Sequence, residues 1–166
     1  SSILYNARLD PTVINGGIIH AYGTNTRLGQ SEWMVVESDE SDGTFTRLPA
    51  TITVVTNIDP EHMESYTDFE DVKSSYRKFV ENIPFYGYGV MCIDHPVVQS
   101  LIPTLTDRKI ITYGFSTQAD IQAVDLSFCE SGATFSVLLP EEKGERRKIK
   151  DIFLAMPGEH NVQNAL

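Results

Sequence analysis

Glycine-rich phosphate motifs are the first thing this 166-residue chain lacks. Neither GxGxxG nor GxxxxGK[ST] occurs in it, and Gly16-Gly17 alone is only a loop signal. A triphosphate held by a helix N-terminus and a lysine therefore needs an element outside these residues. No apolar run approaches the roughly 20 residues of a membrane helix, and no basic segment followed by an apolar one opens the chain. It reads as neither membrane-spanning nor visibly secreted. Cysteine is scarce: Cys92 and Cys129 sit in apolar, strand-like runs without CxxC spacing, the pattern of reduced core thiols in a cytoplasmic protein. No serine lies in GxSxG and neither cysteine carries a local catalytic signature, so nucleophilic hydrolase chemistry has no support.

Basic residues are outnumbered, 13 against 23 acids, for a net charge of −10. That imbalance has an address. Between Glu32 and Asp71 stand eleven acids against one base, Arg47, and the remaining twelve charges of each sign cancel. A general nucleic-acid surface would need a basic stripe, which is missing. The basic run Lys143 to Lys150 lies in a turn-like EEKGERRK stretch and reads as a solvated hairpin tip. The hydrophobic fraction of 41% with 22% charged residues suits one ordinary globular domain, residues 1–166.

Short β-branched runs at 12–15, 33–37 and 51–57 are strand candidates, continuous rather than alternating, as in a parallel sheet covered on both faces. Asp68 to Asn82 places Phe69, Val72, Tyr76, Phe79 and Val80 at helical spacing, and Pro84 follows its end. A strand at 89–94, a short helix broken by Pro103 and a strand at 109–115 continue the alternation. This predicts βαβ units. After Ser116, three runs approach period two and are separated by ESG and EEKGE, the pattern of an antiparallel meander. The expected fold is α/β, a mostly parallel, Rossmann-like sheet flanked by helices with an appended three-strand antiparallel meander. Ser1 to Arg8 reads as a helix end without an initiator Met, and Leu166 stops inside a helix beginning near His160. Both ends read as cuts in a longer protein.

The densest local pattern is Glu37-Ser-Asp-Glu-Ser-Asp42-Gly directly after the 33–37 strand. Carboxyl ends of parallel strands open onto one edge where ligands bind, so Glu37 is expected at that edge. The 51–57 strand ends equivalently in Asn57-Ile-Asp-Pro-Glu61-His62, and two adjacent strands would present a carboxylate and an imidazole together. Hard oxygen ligands with one nitrogen suit Mg2+ or Mn2+ better than zinc. A solvated acidic loop with Asp59 as a cap accounts for the same residues, and spacing does not choose. Asn161 and Asn164, three apart on one helical face, present amides that can pair with a purine edge, while helix capping by Asn161 is the plainer account. His20 and His95 have no ligand-spaced partners in sequence and read as structural.

Five runs in order, LDPTVINGG (9–17), VVESDESDG (35–43), VTNIDPEHM (55–63), ENIPFYGYGVMCIDHP (81–96) and MPGEHNVQNAL (156–166), resemble the central ATP-handling domain of the muramyl ligase family. The resemblance covers nearly the whole chain. INGG and PFYG lie closer to the branch that joins L-alanine to UDP-N-acetylmuramate than to the murein peptide ligases, which share the ESDES and NxxxxH regions. Folylpolyglutamate synthetase shares only a sparse skeleton. The resemblance implies a cytoplasmic ligase of peptidoglycan precursor synthesis. In that chemistry ATP phosphorylates the muramoyl carboxylate, the amine of L-alanine attacks the acyl phosphate, and phosphate leaves. It further implies that Glu37 coordinates the Mg2+ bridging the ATP phosphates, that His62 binds a second Mg2+ near the acyl phosphate, and that Asn161 and Asn164, with His160 beside them, contact adenine.

The family's P-loop, GTHGKTTT in form, would precede Ser1, and its N-terminal UDP-binding and C-terminal domains are not in these residues. On this reading the chain alone folds but is inactive. Sister ligases use a carbamoylated lysine after NxxxxH. Here Arg77 falls nearest that position, between Lys73 and Lys78, and an arginine does not form the carbamate under ordinary conditions, as fits the alanine-adding branch. The competing expectation is a nucleotide-binding module without turnover. A GxxGK[ST] stretch upstream in the reading frame separates the two.

Overall fold

In the computed structural model, residues 1–141 and 144–166 are described, and they form two compact units, Ser1–Glu40 and Ser41–Leu166. The first unit holds helix α1 (Ser2–Asn6) and strands β1 (Thr12–Ile19), β2 (Thr24–Arg27) and β3 (Met34–Val36). Its sheet runs β2-β1-β3, with β2 antiparallel and β3 parallel to β1, and Val13 faces Val35. Strand β1 is twice as long as its TVIN core predicts, and β2 has no sequence signal because Thr-Asn-Thr-Arg carries no apolar residue to set a period.

The turns of this unit are tied by charge. Arg27 forms an ion pair with Asp10 and donates through Nη1 to the Pro11 carbonyl at 3.1 Å, and the Gln30 N–H donates to Asp10 Oδ2 at 2.9 Å. The Arg27 hydrogen bond, helped by the Gln30 N–H, holds the Asp10 carboxyl below its ordinary value. A carboxyl depressed in the folded state stabilises above its unfolded pKa of about 4, and that contribution is lost as pH falls through the folded value. Asp10→Asn is therefore expected to lower Tm at pH 7 and to lower it progressively less as acid takes the pH down through the folded value, by thermal denaturation at neutral and at acid pH. An equal loss at both would sink the ion-pair account. Asn tolerates the φ of 39° that Asp10 adopts, so backbone strain does not confound the comparison.

The second unit is built on a six-stranded sheet in the order β4-β5-β6-β7-β8-β9, formed by β4 (Ile52–Val55), β5 (Tyr88–Cys92), β6 (Ile110–Gly114), β7 (Ile121–Cys129), β8 (Gly132–Pro140) and β9 (Arg146–Leu154). Pairs β4/β5, β5/β6 and β6/β7 are parallel, while β7/β8 and β8/β9 are antiparallel. The predicted α/β class with its meander forms, and the sheet is continuous across residue 116. Only Tyr113 and Gly114 pair with Ile121 and Gln122, so β7 starts where β6 ends and carries the meander beyond the carboxyl edge of the parallel strands.

Helix α2 (Phe69–Glu81) forms where the apolar spacing predicts it. Asp68 caps it, accepting from the Asp71 N–H at 2.9 Å, with Glu70 and Asp71 in the first turn and Lys78 in the last, matching the helix dipole. Its buried face, Val72, Phe79 and Val80, joins Phe45, Val55, Ile58, Met91, Val98, Leu101 and Leu105 in one core, in which Phe45 sits 5.2 Å from both the Phe79 and Tyr76 rings. Helix α3 (Pro96–Leu101) passes into a 3-10 turn (Ile102–Thr104) at Pro103. A second core gathers Ala123, Ala133, Phe135 and Val137 of the meander around Val162 of helix α4 (Glu159–Asn164).

Three expectations are corrected. Strands 33–37 and 51–57 are not neighbours: β3 pairs with β1 in one sheet, and β4 edges the other. Similar apolar runs carry no information about which partner each finds. Cys92 is buried, but Cys129 is exposed where β7 turns into β8, with Sγ 3.2 Å from Ser131 Oγ. Outward positions begin there because β7 has left the core. Within the basic run, Arg146 to Lys150 belong to β9 rather than to a turn, Arg146 donating to Gln122 Oε1 at 3.0 Å and to the Ala119 carbonyl at 2.6 Å. Lys143 lies outside the described residues.

Candidate functional site

Glu37 follows β3 directly. Its N–H donates to the Ile14 carbonyl at 2.9 Å, and its Oε2 accepts the Gly16 N–H at 2.7 Å. A Cβ on residue 16 would lie 3.3 Å from that oxygen, tighter than an ordinary contact, so the glycine of the INGG run lets backbone and carboxylate meet. Oε1 has no hydrogen-bond partner among the described residues, and the held carboxylate thus keeps one hard oxygen for a cation. Of the acids that follow, Asp42 is spent on a turn. It accepts from Thr44 N–H and Oγ1 at 2.9 and 2.7 Å at the start of the 3-10 turn Thr44–Arg47, and these bonds hold its carboxyl below the ordinary value.

In the second unit, the loop after β4 carries His62 at φ 52°, ψ 36°, left-handed backbone that few residues other than glycine adopt. His62 opens the 3-10 turn Met63–Ser65, accepting the Ser65 N–H at 2.9 Å through its carbonyl, and its Nδ1 lies 3.7 Å from Glu64 Oε1. The start of this loop is pinned at the carboxyl edge of the sheet. Asp59 accepts from Asn57 Nδ2 at 2.7 Å and faces His95 Nε2 at 3.4 Å, in the loop after β5. Asp59 is therefore no helix cap, and His95 has an acidic partner that spacing along the chain hides.

Beside His95 stands Asp94. Its carboxylate accepts the Phe115 N–H at 2.7 Å, the Ser116 N–H at 2.9 Å and Gln163 Nε2 at 2.7 Å, so the segment leaving β6 and helix α4 meet on one side chain. Helix α4 carries His160, Asn161 and Asn164. Gly158, not Asn161, is its N-cap, and Asn161 Nδ2 donates back to the Pro157 carbonyl at 2.8 Å. The capping account of Asn161 is thus replaced, and with its Nδ2 engaged the amide oxygen is an acceptor. The loop that carries His62, through Asp59, and helix α4, through Gln163, are both tied to the 94–95 pair at the strand ends where α/β sheets bind ligands. Glu37 belongs to the other unit and its sheet. Asp94 was readable as a polar residue directly after an apolar strand, the same signal that marks Glu37. Gln163, 69 residues away, had none. On α2, Lys73 pairs with Glu70 at 2.7 Å, and Arg77 donates through Nε to Glu81 at 2.8 Å.

A profile of the Mur ligase middle domain matches residues 22–166. Over 165 residues, 99% of this chain, the sequence is 56% identical to the UDP-N-acetylmuramate–L-alanine ligase of Brucella anthropi, of which it covers 35%. The chain thus spans about a third of the length of the curated relatives it matches. Among solved structures, the UDP-N-acetylmuramate-alanine ligase MurC from Thermotoga maritima matches with a TM-score of 0.77 at 25% identity, over 98% of this chain and 34% of that one. The UDP-N-acetylmuramate:L-alanyl-gamma-D-glutamyl-meso-diaminopimelate ligase from Neisseria meningitides matches with a TM-score of 0.79 at 23% identity, over 99% of this chain and 52% of that one.

Proposed function

This chain belongs to the Mur ligase middle-domain family, and from that premise we propose that it is the ATP-handling part of a cytoplasmic ligase that joins L-alanine to UDP-N-acetylmuramate through an acyl phosphate, in peptidoglycan precursor synthesis. The observation that carries the reading is 56% identity sustained over 99% of the chain to a ligase of that name. Likeness of fold does not separate the alanine-adding ligases from the murein peptide ligases, since both solved relatives superpose about equally well.

In this reading Glu37 holds one Mg2+ and His62 a second, with Mn2+ an acceptable substitute, each side chain offering a donor that leaves room for phosphate oxygens. When bound, such ions would supply positive charge against the phosphates as charge shifts between them. The chain's own groups position that charge: the Gly16 N–H orients the Glu37 carboxylate, and the left-handed backbone at 62 presents the imidazole. On α4, His160 and the amides of Asn161 and Asn164 bind adenine.

The direct test is phosphate release by the full-length protein in the presence of ATP, Mg2+, UDP-N-acetylmuramate and L-alanine. Release should require all four. A preference for the L-alanyl-gamma-D-glutamyl-meso-diaminopimelate tripeptide over L-alanine would move the protein to the murein peptide branch, and no release with either would favour a module without turnover. Within the same assay, Asn164→Ala is expected to raise KM for ATP with little change in kcat, because contacts to the base are made equally in ground and transition states. It should also narrow the preference for ATP over GTP by about 1 to 3 kcal/mol, since a base presenting a carbonyl no longer leaves an amide unpaired. An unchanged nucleotide KM with a lowered Tm would make the asparagines structural.

A further inference from the structure

We infer that Asp94 and Gln163 form a latch that sets the rotation of helix α4, and thereby the presentation of its amides to the nucleotide base. The inference rests on the adenine reading above and assigns two positioning residues to it. Helix α4 has six residues and one fully buried residue, Val162, packed among Ala123, Ala133, Phe135 and Val137 with Phe115 alongside, and Ala165 and Leu166 follow it onto the same cluster. Apolar contacts along one face seat so short a helix but are non-directional, and a polar bond off its axis fixes the rotation. Gln163 supplies it, its Nε2 donating to Asp94 Oδ2 at 2.7 Å from the position next to Val162 and one residue before Asn164.

The other end of the latch is stiff. Asp94 is held by two backbone donors, Phe115 N–H at 2.7 Å and Ser116 N–H at 2.9 Å, and residue 115 is pinned from its other side by Gln122 Nε2 donating to its carbonyl at 2.9 Å. Gly114, at φ 152°, makes room for this: a Cβ there would overlap the Asp94 carboxylate. The strand end, its following segment and the helix are thus referred to one carboxylate. A charge-assisted bond of this kind is stronger than an amide pair and more directional than apolar packing. Asp94 touches no reacting atom in this scheme and acts through Gln163 and α4.

A substitution series at Gln163 separates a latch from plain packing, because the two accounts rank side chains in opposite orders. In the full-length ligase, assayed as above, Gln163→Lys keeps an N–H donor for Asp94 and is expected to leave KM for ATP within about threefold of the parent. Gln163→Leu removes the donor and is expected to raise it about tenfold. Gln163→Glu sets a second carboxylate against Asp94 and should raise it further, with kcat within about twofold throughout. If packing alone mattered, Leu, beside an apolar cluster, would be the best tolerated and Lys the worst, and that order would overturn the latch. Gly114→Ala, which displaces the Asp94 carboxylate without touching α4, should reproduce the Leu effect. Should it fail to fold, the Gln163 series decides alone. Asn164→Ala assayed alongside tells the two ideas apart. If it raises KM while the Gln163 series leaves KM flat, the latch is wrong and the adenine reading stands. If neither raises it, the adenine reading fails and the latch with it.

Discussion

Glu37→Gln in the full-length protein is expected to lower kcat by about 10²-fold or more while leaving Tm within a few degrees, the loss typical of a single contact made to developing charge in a transition state. The structure makes Gln the informative replacement. A Gln side chain retains an oxygen to accept the Gly16 N–H, bonded at 2.7 Å in the parent, so the local fold survives while the negative charge that would hold a divalent cation disappears. Glu37→Ala removes both, and should be at least as inactive and somewhat less stable. Steady-state phosphate release at saturating ATP and Mg2+ is the measurement. A kcat within a few-fold of the parent would show that Glu37 is a strand-end residue whose carboxylate serves only the Gly16 turn.

His62 carries the second large effect. His62→Lys is expected to fail as badly as His62→Ala, each losing about 10²-fold or more in kcat, because an ammonium supplies charge but no lone pair at neutral pH. The backbone adds a control. His62 sits at φ 52°, where Ala and Lys both pay for left-handed geometry and Asn pays less, so Tm should fall alike for Ala and Lys and least for His62→Asn. Activity compared well below each variant's Tm then reports coordination rather than folding. Recovery of kcat by Lys would make the role electrostatic, and parent-like kcat in all three variants would leave His62 as the opener of a 3-10 turn.

Glu37 stands out in the sequence because it follows an apolar run, and the structure adds the hydrogen bond from Gly16 that ties it to the INGG run of β1. His62 stands out for its place in NIDPEHM, and the structure adds a left-handed backbone conformation that leaves few alternatives at that position. Glu37 directly follows a strand and His62 lies in the loop after one, which is why their neighbourhoods are readable in sequence and their partners are not.

Periodicity and end signals determined the elements of this protein. A stripe of Phe69, Val72, Tyr76, Phe79 and Val80 behind a capping Asp68 has one stable outcome, and α2 is that outcome, since burying one face and satisfying the first-turn N–H groups are both local requirements. The same holds for the meander, where period-two alternation and short turns specify antiparallel neighbours. What only the tertiary structure decided is which elements meet. The apolar runs that became β3 and β4 were interchangeable by pattern, and they went to different sheets because pairing is chosen by the whole arrangement of partners rather than by the strand itself. Cys129 surfaced because β7 runs past the core it begins in. Asp94 drew in donors from positions 115, 116 and 163 because parallel strands bring their carboxyl ends to one edge, however far apart they are in the chain. Hydrogen-bond partners across that edge are set by three-dimensional proximity, and no spacing rule along a sequence encodes it.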